Sequence, residues 1–364
     1  MFIIITVDIA AVLIWLWVLG RFERYSVFKR HRHVLWLFFL AGIISVPLVF
    51  LIYSIWGNLE FFFSKTPVVI SDFYHQLLIV GPVEEAAKFI VFFGIAGLLK
   101  TVKEPRDGML QAMSVALAFA AVENYYYALE YGTEVLLRRS VIAILGHMSL
   151  AGIWAYLAGV YLYTRQSGSR RFPFREVLYS LMLCAGLHGF HNFFLYFDTS
   201  LLSRGVDILS LGIAVSALLY LRKKSPFHIF PLDRWREAAD FIEEALRVDP
   251  KNFLLHKRAA LYYLYGGKLE KAHQHLKTAS ELSPSDYSVS LYCAAVSYLE
   301  GRIADAVVEF NALASLVFPD GIVRFRLRLE KLLSGYKEGE KLLALLRELE
   351  REGRLSPETI ESAG

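Results

Sequence analysis

Apolar residues run along this chain in blocks too long for an ordinary globular helix, separated by short polar stretches. A hydrocarbon core of roughly 30 Å needs about 20 apolar residues per helix. Seven windows reach that length, at about 2–20, 34–56, 77–99, 108–130, 138–164, 176–197 and 201–221. The first has no Lys or Arg ahead of its apolar run and carries Asp8, so it reads as a retained span and not a signal peptide. Past residue 233 the pattern turns into short amphipathic helices. The expected fold is all-α. It has a polytopic membrane helical bundle of about seven spans over 1–225, a linker over 226–233 and a helical repeat domain over 234–364.

Composition agrees with that division. The whole chain of 364 residues is 55% hydrophobic and 20% charged, against about 25% charged for an average soluble protein. Residues 1–232 carry 34 charged side chains, 20 basic and 14 acidic, while 233–364 carry 40, 19 basic and 21 acidic. Disordered, collagen-like and secreted disulfide-rich classes are excluded. Cys184 and Cys293 stand alone, one in each part, so there is no disulfide framework and no four-Cys zinc site. The net charge of +4 is too small to point to nucleic acid.

The placement of basic residues sets an expected topology. Fifteen of the 20 in the first part follow spans 1, 3, 5 and 7, among them Arg21, Arg24, Lys100, Lys103, Arg170, Arg171, Arg222 and Lys223. The opposite loops hold only Lys65, Arg138, Arg139 and Arg204. Basic residues stay in the cytoplasm, which predicts an extracytoplasmic N-terminus and a cytoplasmic tail.

The tail repeats every 34 residues. Ala238, Ala272 and Ala306 share that spacing, as do Ala260 and Ala294, Gly267 and Gly301, Leu276 and Phe310, and Leu282 and Leu316. Asp249-Pro250 recurs as Ser283-Pro284 and, one residue late, at Pro319. Small residues at helix crossings with Pro between units resemble the tetratricopeptide (TPR) repeat family. The reading is a half-unit over about 234–248, units at about 253–286 and 287–319, and a helical cap from about 321 that carries Leu342, Leu345, Leu346 and Leu349. Such repeats imply a cytoplasmic peptide or protein bound by the tail. The plainer alternative is a tail that only stabilises itself or dimerises.

Ionisable groups inside a bilayer are costly and mark function by default. Span 3 holds Glu84, Glu85 and Lys88; span 4 holds Phe119, Glu123 and Asn124; span 5 holds His147; span 6 holds His188, His191 and Asn192. At about 1.5 Å per residue, Glu84 and Glu123 lie roughly 10 Å from the outer surface, His147 and His188 roughly 14 Å and Asn192 about 8 Å. Four antiparallel spans thus share one polar layer in the outer half of the membrane. Lys88 reaches either Glu84 or Glu85, and pairing with one leaves the other carboxylate needing a reason, for which a general base is the sharp reading. His188 and Asn192 share a helix face and suit an oxyanion. The bland readings are interhelical hydrogen bonds for Glu123, Asn124 and Asn192, and an ordinary buried residue for His147. His191 reads as a bystander, Asp8 and Asp207 as groups within reach of water, and Pro82 either as the site of a bend or as a tolerated membrane proline.

These motifs resemble the PrsW family of intramembrane proteases, distant relatives of the type II CAAX prenyl proteases, over about residues 1–225. EExxK is matched by Glu84 to Lys88, FxxxEN by Phe119 to Asn124, the following single His by His147, and HxxxN by His188 to Asn192. The resemblance implies catalytic roles for Glu84, Glu85, His147, His188, Asn192 and Glu123, with Lys88, Phe119 and Asn124 in support. It implies either glutamate-type or metal-dependent chemistry. If there is an ion, zinc is the expected one, held by Glu123, His147 and His188. The implied function is cleavage of a single-pass membrane protein, such as an anti-sigma factor, near the extracytoplasmic side. The alternatives are a proton-coupled transporter and an inactive membrane-anchored TPR scaffold.

Overall fold

The computed structural model describes residues 2–23, 32–56, 66–168, 172–196, 200–223, 225, 234–284, 286–302, 305 and 309. Arg24, Lys65, Arg170 and Arg171, the 226–233 linker, and the tail positions Ala306, Phe310, Leu316 and Pro319 with the cap beyond them lie outside the described residues. The chain divides into two compact units, Met1–His228 and Ile229–Gly364. Every element among the described residues is helical.

The first unit contains α1 (Phe2–Glu23), α2 (Arg32–Gly42), α3 (Ser45–Trp56), α4 (Val68–His75) running through a π-helical stretch Gln76–Val80 into α5 (Gly81–Leu99), α6 (Pro105–Tyr131), the short α7 (Thr133–Arg139), α8 (Ile142–Ser167), α9 (Phe174–Tyr196) and α10 (Ser200–Lys223). Helices overlap all seven apolar windows. Four stretches are long and apolar enough to cross a membrane by length and composition: Ile5–Phe22, His33–Trp56, Thr133–Ser167 and Leu201–Lys223. The window at 34–56 is two helices and not one. Pro47 has no N–H to give the Ile43 carbonyl, and the Val46 N–H takes that carbonyl instead, at 3.2 Å, in a tighter turn.

Helix α6 is the hub of this unit. Its N-terminus is closed by a reciprocal capping box between Glu104 and Asp107, which satisfies backbone N–H groups that a helix start leaves open. From Arg106 to Ala121 it is buried on every side. Leu16 and Leu19 of α1, Leu35 of α2, Ile144 and Met148 of α8, and Ala214 and Leu218 of α10 pack around its Met109, Met113 and Leu117. Its most extensive neighbour is α8. There a Cβ on Gly108 would stand 2.6 Å from the Gly159 Cα, so the two backbones touch and only glycine fits. That crossing fixes the line along which Glu123 of α6 and His147 of α8 meet.

The second unit contains α11 (Trp235–Val248), α12 (Phe253–Tyr265), α13 (Leu269–Leu282) and α14 (Tyr287–Leu299). Helix α13 begins and ends 34 residues after α11, and α14 begins 34 residues after α12 and ends 34 after it. Gly267 and Gly301, at the same interval, both take a left-handed backbone, with φ of 68° and 79°, a conformation that costs glycine little. Ala238, Ala260, Ala272, Leu276 and Ala294 are buried. Leu282 is exposed.

Candidate active site

The site begins with a backbone adjustment. Pro82 cannot donate to the Leu78 carbonyl, one helical turn back. The helix widens into its π stretch just before that point, and the freed carbonyl accepts the Trp56 indole N–H at 3.3 Å. Such π turns cluster at functional sites. At the next residue α5 meets α9. A Cβ on Gly81 would lie 2.3 Å from the Ala185 carbonyl oxygen. With no side chain between the helices, Glu84 and Glu85 of α5 come within side-chain reach of His188 of α9.

The two adjacent carboxylates have different surroundings. Glu85 is fully buried and accepts three hydrogen bonds. The Lys88 ammonium donates at 2.8 Å and the His188 Nδ1–H at 2.9 Å, both to Oε1, and the Trp154 indole donates to Oε2 at 2.9 Å. A buried carboxylate needs such donors to stay in place. Lys88 is therefore paired chiefly with Glu85; its Nζ lies 3.6 Å from Glu84 Oε2. Glu84 Oε2 also lies 3.5 Å from His188 Nε2 and, among the described residues, has no hydrogen-bond partner, although it is buried.

Across the site, His147 is oriented from both sides. Its Nδ1 accepts from Lys88 at 3.0 Å, and its Nε2–H donates to Glu123 Oε2 at 2.9 Å. The Phe119 ring lies 5.4 Å from the imidazole and 4.2 Å from the Lys88 ammonium, a cation–π contact. The rings of His147 and His188 are 5.1 Å apart. Glu123 is also held by Arg139, which donates to Oε2 at 2.7 Å and, through Nε, to Asn124 Oδ1 at 3.0 Å. A cavity of about 540 Å³ opens here, lined by Glu84, Glu123, His147, His188 and Asn192 among others.

One ligand atom each from Glu84, His147 and His188 lie within 4.8 Å of one another. The donor chemistry fits a metal ion. His188 commits Nδ1 to Glu85 and keeps Nε2 for an ion; His147 commits Nε2 to Glu123, and an ion at its Nδ1 would take the place of the Lys88 N–H. The third donor is the buried Glu84 oxygen that nothing else satisfies. The sequence placed Glu123 in this set. The donor atoms that lie together in the structure include Glu84 and not Glu123; Arg139 reaches Glu123 from α7, and Glu123 stands at the Nε2 edge of His147.

Four contributors were missed in the sequence. Arg139 was counted only as a basic residue on the sparsely charged side, and that exception was the available signal. Trp154 left no mark, since its role needs Glu85 beside it. His191, read from the sequence as a bystander, stands at the site. It lines the cavity, and its Nδ1 lies 3.0 Å from Asp207. Three residues from His188, it stays on the same side of the helix. Asp207, expected only to reach water, lines the cavity too.

The arrangement defines a class first: a helical membrane bundle with two imidazoles and a free carboxylate oxygen converging on a buried polar cavity, as a membrane-embedded hydrolase requires. The comparisons name that class more narrowly. The model of the PrsW family intramembrane metalloprotease matches residues 29–221, and the chain belongs to that family. It is similar to proteins named Protease PrsW. The one from Shouchella clausii is 28% identical over 162 residues, 44% of this chain and 69% of that protein. The one from Oceanobacillus iheyensis is 26% identical over 44% of this chain and 68% of that protein. The Bacillus subtilis protein is 26% identical over 43% and 67%. No solved structure matches. The chain is a membrane protease by this membership.

Proposed function

We propose that the protein cuts a single-pass membrane protein near its extracytoplasmic side. A regulator such as an anti-sigma factor is the substrate class implied by the resemblance drawn from the sequence. The reading takes the seven windows as spans, the N-terminus as extracytoplasmic and the TPR-like tail as a cytoplasmic dock for a peptide or protein. It rests above all on one observation: the unsatisfied Glu84 oxygen facing the cavity beside His147 and His188.

In this reading Glu84, His147 and His188 hold a divalent ion, and a carboxylate with two imidazoles suits zinc. When bound, such an ion supplies a Lewis acid and an acidified water. The protein's own groups do the rest. Glu84 offers the uncommitted carboxylate of the pair and positions the water. Glu85, with three donors already on it, orients His188 and neutralises Lys88. Glu123 does the same for His147. Asn192 lines the cavity where an amide N–H can meet the carbonyl oxygen as charge builds on it.

The test is metal analysis of the purified full-length protein with co-expressed membrane substrate. About one divalent ion per chain is expected, lost in His147→Ala and in His188→Ala, and a chelator should stop cleavage. Unchanged cleavage by Glu84→Gln sinks the assignment of Glu84.

A further inference from the structure

Helix α1 precedes the residues that match the family, 29–221, yet it reaches the short helix whose arginine holds Glu123. The Trp15 indole N–H donates to the Ser140 carbonyl at 3.1 Å. Ser140 follows Arg139 and closes the last turn of α7, its own N–H donating to the Leu136 carbonyl at 2.8 Å. About two turns back along α1, Val7 packs on the cluster formed by Ala128 of α6 and Leu136 of α7. Two contacts from α1 therefore fix α7, one of them beside Arg139.

Next to Val7 stands Asp8, whose carboxylate faces Asn124 of α6. Asp8 Oδ1 and Asn124 Nδ2 are both buried and, among the described residues, neither has a hydrogen-bond partner. One is an acceptor and the other a donor, so each supplies what the other lacks. A carboxylate in an apolar run is costly and calls for a use. The other end of the Asn124 amide is committed, since its Oδ1 accepts the Arg139 Nε–H at 3.0 Å. The same guanidinium donates to Glu123 Oε2 at 2.7 Å, and Glu123 accepts from His147 at 2.9 Å. The Tyr127 ring covers a face of the guanidinium at 3.7 Å. A line of polar side chains thus runs from Asp8 through Asn124, Arg139 and Glu123 to His147. It joins a helix outside the family match to an imidazole of the site.

We propose that Asp8 and Trp15 make α1 a positioning element of the active site. Asp8 orients the Asn124 amide so that its oxygen meets Arg139. Trp15 fixes the end of α7 that carries the guanidinium. Arg139 then holds Glu123 against His147 Nε2, which turns Nδ1 towards Lys88. Neither Asp8 nor Trp15 touches substrate; both act through Arg139. This rests on the protease reading above and deepens it by naming positioning residues that lie outside the family match.

The probe is the single-pass protein whose outer fragment appears in cells carrying the wild-type chain and not in cells carrying Glu84→Gln. If no protein differs between the two, the protease reading falls and the positioning role with it. With that substrate and the purified full chain in detergent, Asp8→Leu is expected to lower kcat about fivefold, the worth of about one hydrogen bond, with KM unchanged. Its melting temperature should hold or rise, since Asp8 Oδ1 has no bond to lose and a carboxylate leaves an apolar run. A fall in kcat and melting temperature together would mark a merely structural residue and overturn the positioning role. Asp8→Asn keeps an acceptor oxygen and should recover most of the rate. Trp15→Phe keeps an aromatic ring, loses the donor, and should lower kcat about twofold to fivefold. In the Arg139→Ala chain the line is already cut, so adding Asp8→Leu should change kcat by less than about twofold, the non-additivity of connected residues. A wild-type kcat in Asp8→Leu, or the same fall on adding it to Arg139→Ala, overturns the positioning role while leaving the protease intact.

Discussion

In the tail, Glu243 accepts the Tyr263 hydroxyl at 2.8 Å and the His275 Nε2–H at 3.1 Å, and His275 lies 3.0 Å from His256. In the membrane unit, Glu85 and Glu123 likewise hold His188 and His147. On a list of neighbours the two clusters look alike. They differ in what is left over. Burial works against the Glu243 charge, but the bonds from Tyr263 and His275 outweigh it and hold the carboxyl below the usual carboxylate range. That cluster is satisfied and partly open to water, so it contributes to packing. In the membrane cluster one buried carboxylate oxygen, Glu84 Oε2, makes no hydrogen bond among the described residues, and Glu84 borders a cavity. A contact between Glu and His is therefore no mark of a site. What sets Glu84 apart is that its unsatisfied oxygen lies beside two imidazoles at a cavity, where the cost of leaving it buried is offset if a ligand uses it.

This contrast predicts an order of effects. Glu84→Gln should lower turnover by about 10²–10⁴-fold while the melting temperature in detergent stays put, since Glu84 Oε2 makes no hydrogen bond to lose. A matching fall in stability would erase the distinction between the clusters. Lys88→Ala should be the most damaging to the fold. It strands Glu85 without its cation, at about 3–5 kcal/mol, read by thermal or denaturant unfolding of the full chain. Arg139→Ala frees one side of Glu123 and lets His147 turn, with an expected cost near 1–3 kcal/mol for the lost charged bonds. It should appear mainly in kcat, and Arg139→Lys should restore it only in part, since an ammonium cannot span Glu123 and Asn124 as the guanidinium does.

The smallest effect belongs to the tail. Glu243→Ala should cost about 1 kcal/mol, seen as faster hydrogen exchange in α12 and α13, with kcat unchanged. The sign of its pH dependence follows from the depressed carboxyl. The contribution of Glu243 is present above its ordinary value of 4.5 and is lost as pH falls through the lower folded value. An effect of Glu243→Ala on kcat would break the separation between the two units' clusters.

Much of the site was legible because a bilayer makes charge expensive. Glu84, Glu85, Glu123, His147 and His188 stood out as ionisable groups in apolar runs, and counting residues along the expected antiparallel spans gave them one expected depth. What could not be read was the partner of each. Glu84 and Glu85 are sequence neighbours, and both are within reach of Lys88. Only the close crossing at Gly81 and Ala185 decides which of them meets Lys88, Trp154 and His188. Arg139 and Asp207 sit at helix ends, where a charge is cheap and carries no signal of its own.

The sequence by itself determined the helical class, the position of each apolar window, the 34-residue interval in the tail and the motifs that place the chain in its family. Those properties depend on local periodicity and on the cost of burying charge, and both are written residue by residue. The tertiary structure alone decided that Glu84 is the carboxylate left free and that Glu85 and Glu123 stand behind the imidazoles. Those outcomes depend on which backbones touch, and contacts between α5 and α9 or between α6 and α8 join residues far apart in the chain.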